Sequence, residues 1–133
     1  MFSTNLTPEL SALLWSVLLL LTTIMTQQIW TDIAQGPKFA LSDRLGGLDN
    51  DVSRRFERTV RNTVENLALF TPVILILSLS EISTTGTVRG AWLFLIARIV
   101  YAVAYPVNIP VVRSLAWLGG LIGVVMCAWP LLF

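Results

Sequence analysis

From Leu10 to Thr31 the chain carries no charged side chain. About 20 apolar residues are enough for an α-helix to cross the ~30 Å hydrocarbon core of a bilayer. Lipid offers no hydrogen bonds, so a helix, which satisfies its own backbone, is the natural form for such a run. The pattern recurs. Asn66 to Ser80 is free of charge, Gly90 to Val112 is interrupted only by Arg98, and Ser114 to Phe133 is again free of it. A soluble core could not hide four such runs. Apolar residues make up 55% of the chain and charged residues 13%, against about 25% charged in ordinary globular domains. The sequence therefore predicts an all-α integral membrane protein: one domain over residues 1–133, a bundle of four transmembrane helices at about 8–30, 53–79, 89–107 and 111–132. The runs are too long and too unalternating for a transmembrane β-barrel.

Local chemistry marks the ends. Thr7 can cap the first helix, Pro8 suits its first turn, and Glu9 complements its dipole. Gly36-Pro37, Gly46-Gly47 and Asp49-Asn50 predict a long surface loop between the first two helices, with Phe39, Leu41 and Leu45 dipping into the interface. Pro72 falls inside the second helix and predicts a kink or a locally opened hydrogen bond. "SEISTTGTV" reads as a short turn and "YPVNIP" as a tight connection. Gly119 and Gly123 are spaced to let helices approach closely.

Four spans put both termini on one side. The other side holds Lys38, Arg44, Arg54, Arg55, Arg58, Arg61 and Arg113, against Arg89 on the terminal side. The positive-inside rule then places the basic side in the cytoplasm and the termini opposite. The N-terminal segment has no basic residue before its apolar run, which is too long for a signal core, so no cleaved signal peptide is expected. A net charge of +1 argues against a nucleic-acid surface. The chain has no His, which removes the commonest metal ligand, and no metal site is expected. Cys127 sits in an apolar run and reads as a packing residue.

One stretch departs from this apolar pattern. In "RTVRNTVENL", Arg58, Arg61, Asn62 and Glu65 recur at i, i+3, i+4 and i+7, a single helical stripe. On the third helix Arg98, Tyr101 and Tyr105 form another. Glu65 and Arg98 lie at matching depths, roughly 13–17 Å from the basic side at about 1.5 Å per residue, and an intramembrane Arg calls for a partner. This predicts a Glu65–Arg98 ion pair. Two readings stay open. The arginines at the helix start, Arg54 and Arg55 among them, can snorkel to headgroups, with the ion pair a structural clasp and the tyrosines an interfacial belt. Alternatively the groups line a pocket for a small polyanionic or zwitterionic ligand. A tripeptide with two carboxylates and one amine fits that inventory, since arginine forks bind carboxylates in pairs.

These same residues carry a resemblance. Arg58 to Glu65, together with "ARIVYAVAYPVNIPVVRS" from Ala97 to Ser114, resembles the family of membrane-associated proteins in eicosanoid and glutathione metabolism, MAPEG. The short loops look like a bacterial branch, which implies the bacterial inner membrane. The resemblance implies a homotrimer of four-helix protomers, with glutathione bound between neighbours near the cytoplasmic face. It matches Arg61, Asn62, Glu65 and Tyr105 to the family's glutathione contacts. Arg113 and Ser114 match an Arg-Ser pair whose arginine stabilises the glutathione thiolate, which makes Arg113 the expected catalytic residue. Trp117 stands where the family carries a tyrosine, and Gln27 and Gln28 stand near an expected arginine. The implied activity is glutathione conjugation or peroxide reduction of hydrophobic electrophiles arriving from the bilayer. The alternative is a non-catalytic membrane protein binding another anionic ligand, a lipid or a partner.

Overall fold

A computed structural model describes residues 6–35, 51–104 and 109–133. They form four helices: α1 (Pro8–Gln35), α2 (Asp51–Leu79), α3 (Thr85–Ala104) and α4 (Pro110–Leu132). All four are long and apolar enough to cross a membrane. The predicted surface loop and Tyr105 lie outside the described residues.

The helix ends follow from local chemistry. Thr7 Oγ1 accepts from the Leu10 backbone N–H at 3.2 Å, capping α1 before Pro8. No helix breaker precedes Gly36-Pro37, and α1 runs on past Trp30 to Gln35. The helix α2 continues unbroken through Pro72. It closes with the Ile82 N–H on the Leu77 carbonyl and the Glu81 N–H on the Ser78 carbonyl. This paired closure normally takes glycine at its left-handed position, yet Glu81 occupies it with φ 55°. Thr84 caps α3: its hydroxyl accepts from the Thr87 N–H, and its own N–H donates to the Thr87 hydroxyl. Pro110 opens α4 at the first turn, where its missing N–H costs nothing.

The helices alternate in direction. The start of α1, the α2–α3 turn and the end of α4 share one end, here the terminal end. The starts of α2 and α4 and the end of α3 share the basic end. Around the bundle α1 packs on α2 and α3, and α4 packs on α3 and α2. The helices α2 and α3 therefore face each other across a short diagonal, which large side chains fill. Phe70 and Phe94 stack there with centroids 3.9 Å apart. Ala12, Leu67, Ile74, Leu77, Ala91 and Cys127 complete the buried core.

The backbones of α3 and α4 approach closely. A Cβ on Gly123 would fall 2.6 Å from the Gly90 carbonyl oxygen, so only glycine fits. Gly123 thus pairs with Gly90 on α3, while Gly119 meets Ala97 at ordinary contact distance. Large apolar residues, among them Leu14, Trp15, Leu18, Leu69, Ile96 and Val125, point outward. In water such a surface would drive aggregation; in a bilayer it is the solvated face. Ser16, Thr22, Thr23 and Thr26 on α1 each donate to the carbonyl four residues earlier, at 2.8–2.9 Å. Their hydroxyls are thereby satisfied without water.

Candidate functional site

The inward face of α2 is polar near the basic end. Thr59, Thr63, Asn66, Leu67, Phe70, Ile74 and Leu77 are its buried positions, recurring at three- and four-residue spacings as one helical face requires. Thr59 and Thr63 donate to the carbonyls of Arg55 and Thr59, each at 2.8 Å. Asn66 Nδ2 donates to the Asn62 carbonyl at 2.8 Å and to Asn62 Oδ1 at 3.2 Å.

Opposite this face sits Arg98 of α3, fully buried. Its Nη2 donates to Asn62 Oδ1 at 2.7 Å and to the Thr63 hydroxyl at 3.2 Å. Its guanidinium carbon lies 4.4 Å from the centroid of the Tyr101 ring, a cation–π contact. Nε and Nη1 are buried without a hydrogen-bond partner among the described residues. Gly120 of α4 lies beside the side chain: a Cβ there would make ordinary contact with Arg98 Cδ, at 3.6 Å.

The predicted Glu65–Arg98 ion pair does not form, and Glu65 is exposed on the outside of the bundle. Depth along the helix was matched, but azimuth was not. Glu65 stands two residues from Thr63, about 200° around the helix, so Arg98 meets the uncharged face instead. Arg58 and Arg61 are exposed with Glu65. Arg61 Nη2 lies 3.4 Å from Glu57 Oε1 one turn earlier, a pairing of modest worth on an open surface. The face carrying Val60, Val64 and Leu67, expected to meet lipid or a neighbour, is divided: Leu67 is buried and Val64 is 46% exposed.

Four of the expected site residues do converge. Asn62 from α2, Tyr101 from α3, and Arg113 and Ser114 from α4 line one cavity of about 450 Å³. Trp117 and Leu118 complete its wall. Three helices thus bring an amide, a phenol, a guanidinium, a hydroxyl and an indole together at the basic end. Asn62 belongs both to this wall and to the buried Arg98 network. Arg58, Arg61 and Glu65 are not part of the wall. Among the described residues no group of His, Cys, Asp and Glu is placed to hold a metal ion.

The protein-family model described as MAPEG family matches residues 11–133. The chain belongs to the MAPEG family. Membership and four apolar helices together make it an integral membrane protein with a four-helix membrane fold. No curated protein matches the chain. The match covers every wall residue of this MAPEG protein's cavity.

Thr59, Thr63 and Asn66 are the site-supporting residues that charge-based reasoning passed over. Their spacing of i, i+4 and i+7 was visible, but an uncharged polar stripe inside a membrane helix is easily taken for self-satisfied hydroxyls. Thr59 and Thr63 do bond back to their own helix, yet Thr63 also accepts from Arg98.

Proposed function

We propose that this MAPEG protein is a glutathione-dependent membrane enzyme that conjugates or reduces hydrophobic electrophiles delivered through the bilayer. The observation that carries the reading is the meeting of Asn62, Tyr101, Arg113 and Ser114 on one cavity. The volume falls within the ~300–1,000 Å³ range of small-molecule sites. The donor set suits an anionic tripeptide: the Arg113 guanidinium and Ser114 hydroxyl can donate to a carboxylate or a thiolate, and the Asn62 amide can orient peptide groups. Glutathione, when bound, supplies the thiolate nucleophile. Arg113 holds negative charge on sulfur, Ser114 and Asn62 orient the peptide, and Trp117 and Leu118 exclude water and offer an apolar surface to the electrophile.

Arg58, Arg61 and Glu65 lie on the outer surface of the bundle, and a carboxylate within a spanning helix is disfavoured against lipid. In this reading they are covered by neighbouring copies in a homotrimer and meet the ligand at that boundary. The basic end faces the cytoplasm of a bacterial inner membrane, an orientation supported by the charge asymmetry of the loops.

A second reading draws on the apolar partners of Arg113. Trp117 and Leu118 beside one guanidinium also suit an anionic lipid, its headgroup on Arg113 and its chain on the indole. One experiment separates the two. Glutathione is titrated into purified protein in neutral detergent, following thiolate absorbance and heat. Saturable binding with thiolate formation, both reduced in Arg113→Ala, is expected. No saturable binding by the parent would sink the enzyme reading, and protection by an anionic lipid alone would favour the second.

A further inference from the structure

A second polar site lies at the terminal end, far from the cavity on Arg113. Glu9 of α1 is 2% exposed. Its Oε1 accepts from the Ser83 hydroxyl at 2.8 Å and from the Thr87 hydroxyl at 2.6 Å. Oε2 is equally buried and has no hydrogen-bond partner among the described residues. A buried acceptor of this kind is costly unless something donates to it. Glu9 also forms part of the wall of a cavity of about 230 Å³, with Thr7, Ser78, Glu81, Ile82 and Ser83 among the other lining residues.

The chemistry of that wall is one-sided. It offers two carboxylates and three hydroxyls, and no cationic side chain among the described residues lines it. Leu77 and Ser78 bring the C-terminal end of α2 into the wall, and a helix C-terminus carries partial negative charge. Glu81 lines the cavity from the left-handed position that ends α2, φ 55°. The first turn of α1, with Thr7 and Glu9, brings a helix N-terminus and its partial positive charge into the same wall, so the preference for a positive ligand rests on the two carboxylates.

The class of cation can be narrowed. Among the described residues no aromatic ring lines the cavity, whereas quaternary ammonium groups are held by aromatic faces. A hard metal ion takes six or more oxygens at about 2.0–2.6 Å, and the described residues contain no metal-type cluster of three. A primary ammonium has three N–H donors, suited to Glu9 Oε2, the Glu81 carboxylate and a hydroxyl. We propose that the Glu9–Glu81 cavity binds a primary ammonium group at the membrane surface. The α2–α3 turn forms its rim, at the level where lipid headgroups lie. The ammonium can come from an ethanolamine lipid or from a free alkylamine.

The test uses the full chain in neutral detergent at constant ionic strength. Thermal unfolding is followed while ethylammonium chloride is titrated, with tetramethylammonium and calcium chlorides as comparison cations. A saturating rise in the unfolding temperature with ethylammonium alone is expected. It should vanish in Glu9→Gln, which keeps an oxygen for Ser83 and Thr87, and require severalfold more ethylammonium in Glu81→Gln. If Glu9→Gln does not fold, the Glu81→Gln titration decides. In nanodiscs, a higher unfolding temperature with phosphatidylethanolamine than with phosphatidylcholine, lost in the variants, assigns the lipid as source. A response to ethylammonium without that lipid difference assigns the free amine. An equal effect of tetramethylammonium, saturation by calcium instead, no response in the parent, or an unchanged response in folded variants each overturns the proposal.

Discussion

Arg98 of α3 donates to the side-chain oxygen of Asn62 on α2 at 2.7 Å, across the diagonal of the bundle. The pair joins two helices whose backbones scarcely touch, and it ties the buried guanidinium to a residue of the Arg113 cavity. A charge is thus held by an amide and a hydroxyl, with no carboxylate partner among the described residues. Removing Asn62 should therefore hurt more than removing the charge. Asn62→Leu leaves Arg98 with its hydrogen bond to Thr63 and the Tyr101 ring, and we expect a loss of about 1.5–3 kcal/mol, the range for hydrogen bonds to charged groups. Arg98→Met should cost less, because it also removes two unpartnered donors. The double variant should resemble Arg98→Met. Unfolding midpoints in a single detergent measure all three, and a larger loss for Arg98→Met than for Asn62→Leu would contradict the assignment.

Gly123→Ala places a methyl group against the Gly90 carbonyl and the Phe94 backbone, at 2.6 and 2.9 Å. Backbone atoms on both sides cannot swing aside. We expect a destabilisation of about 1–3 kcal/mol, typical of overpacking. Gly119→Ala makes ordinary contact with Ala97 Cβ at 3.5 Å and gains helix propensity, so it should be neutral or stabilising by up to about 1 kcal/mol. Parallel thermal unfolding of the two variants tests the contrast.

Glu81 adopts φ 55° at the end of α2, a conformation that burdens any side chain bearing a Cβ. Glu81→Gly should raise stability by about 1 kcal/mol. Its ethylammonium response should weaken, since one carboxylate is gone. Stability and ligand response would thus move in opposite directions, which an incidental surface change would not produce.

Arg113 lines the cavity at the basic end, whereas Arg89 stands at the opposite end. Arg113→Ala should weaken glutathione binding by about ten- to a hundredfold, the equivalent of one charge-assisted hydrogen bond. Arg89→Ala should leave it unchanged. Calorimetric titration of both variants provides the comparison, and equal losses would place the ligand elsewhere.

The architecture was legible because its cause is one-dimensional. An uncharged run such as Leu10 to Thr31 must cross a membrane as a helix, whatever its neighbours are. The lining of the candidate cavity was legible in part. Asn62, Tyr101, Arg113 and Ser114 were singled out, and the fold brings them to one cavity. The partner of Arg98 was not legible. Sequence spacing fixes how deep Glu65 and Arg98 sit, but which way each points depends on which α2 face packs inward. That choice is made by Phe70, Ile74 and Leu77, whose burial carries Thr63 inward and Glu65 outward. Glu9 was read as a helix-start residue. Its second role depends on Ser83 and Thr87, which folding brings from more than 70 positions away in the chain.

The back-bonded hydroxyls of α1 also bear on how the protein is made. Because Ser16, Thr22, Thr23 and Thr26 satisfy themselves within their own helix, these hydroxyls of α1 enter lipid already bonded, before any neighbour exists, while Glu9 at the terminal end waits for Ser83 and Thr87. The third helix cannot enter mid-membrane lipid satisfied in this way, since it brings a guanidinium whose acceptors belong to α2. Those acceptors, Asn62 and Thr63, precede Arg98 in the chain and are synthesised first. The order of the helices along the polypeptide thus matches an order of insertion in which the costly residue arrives after its partners.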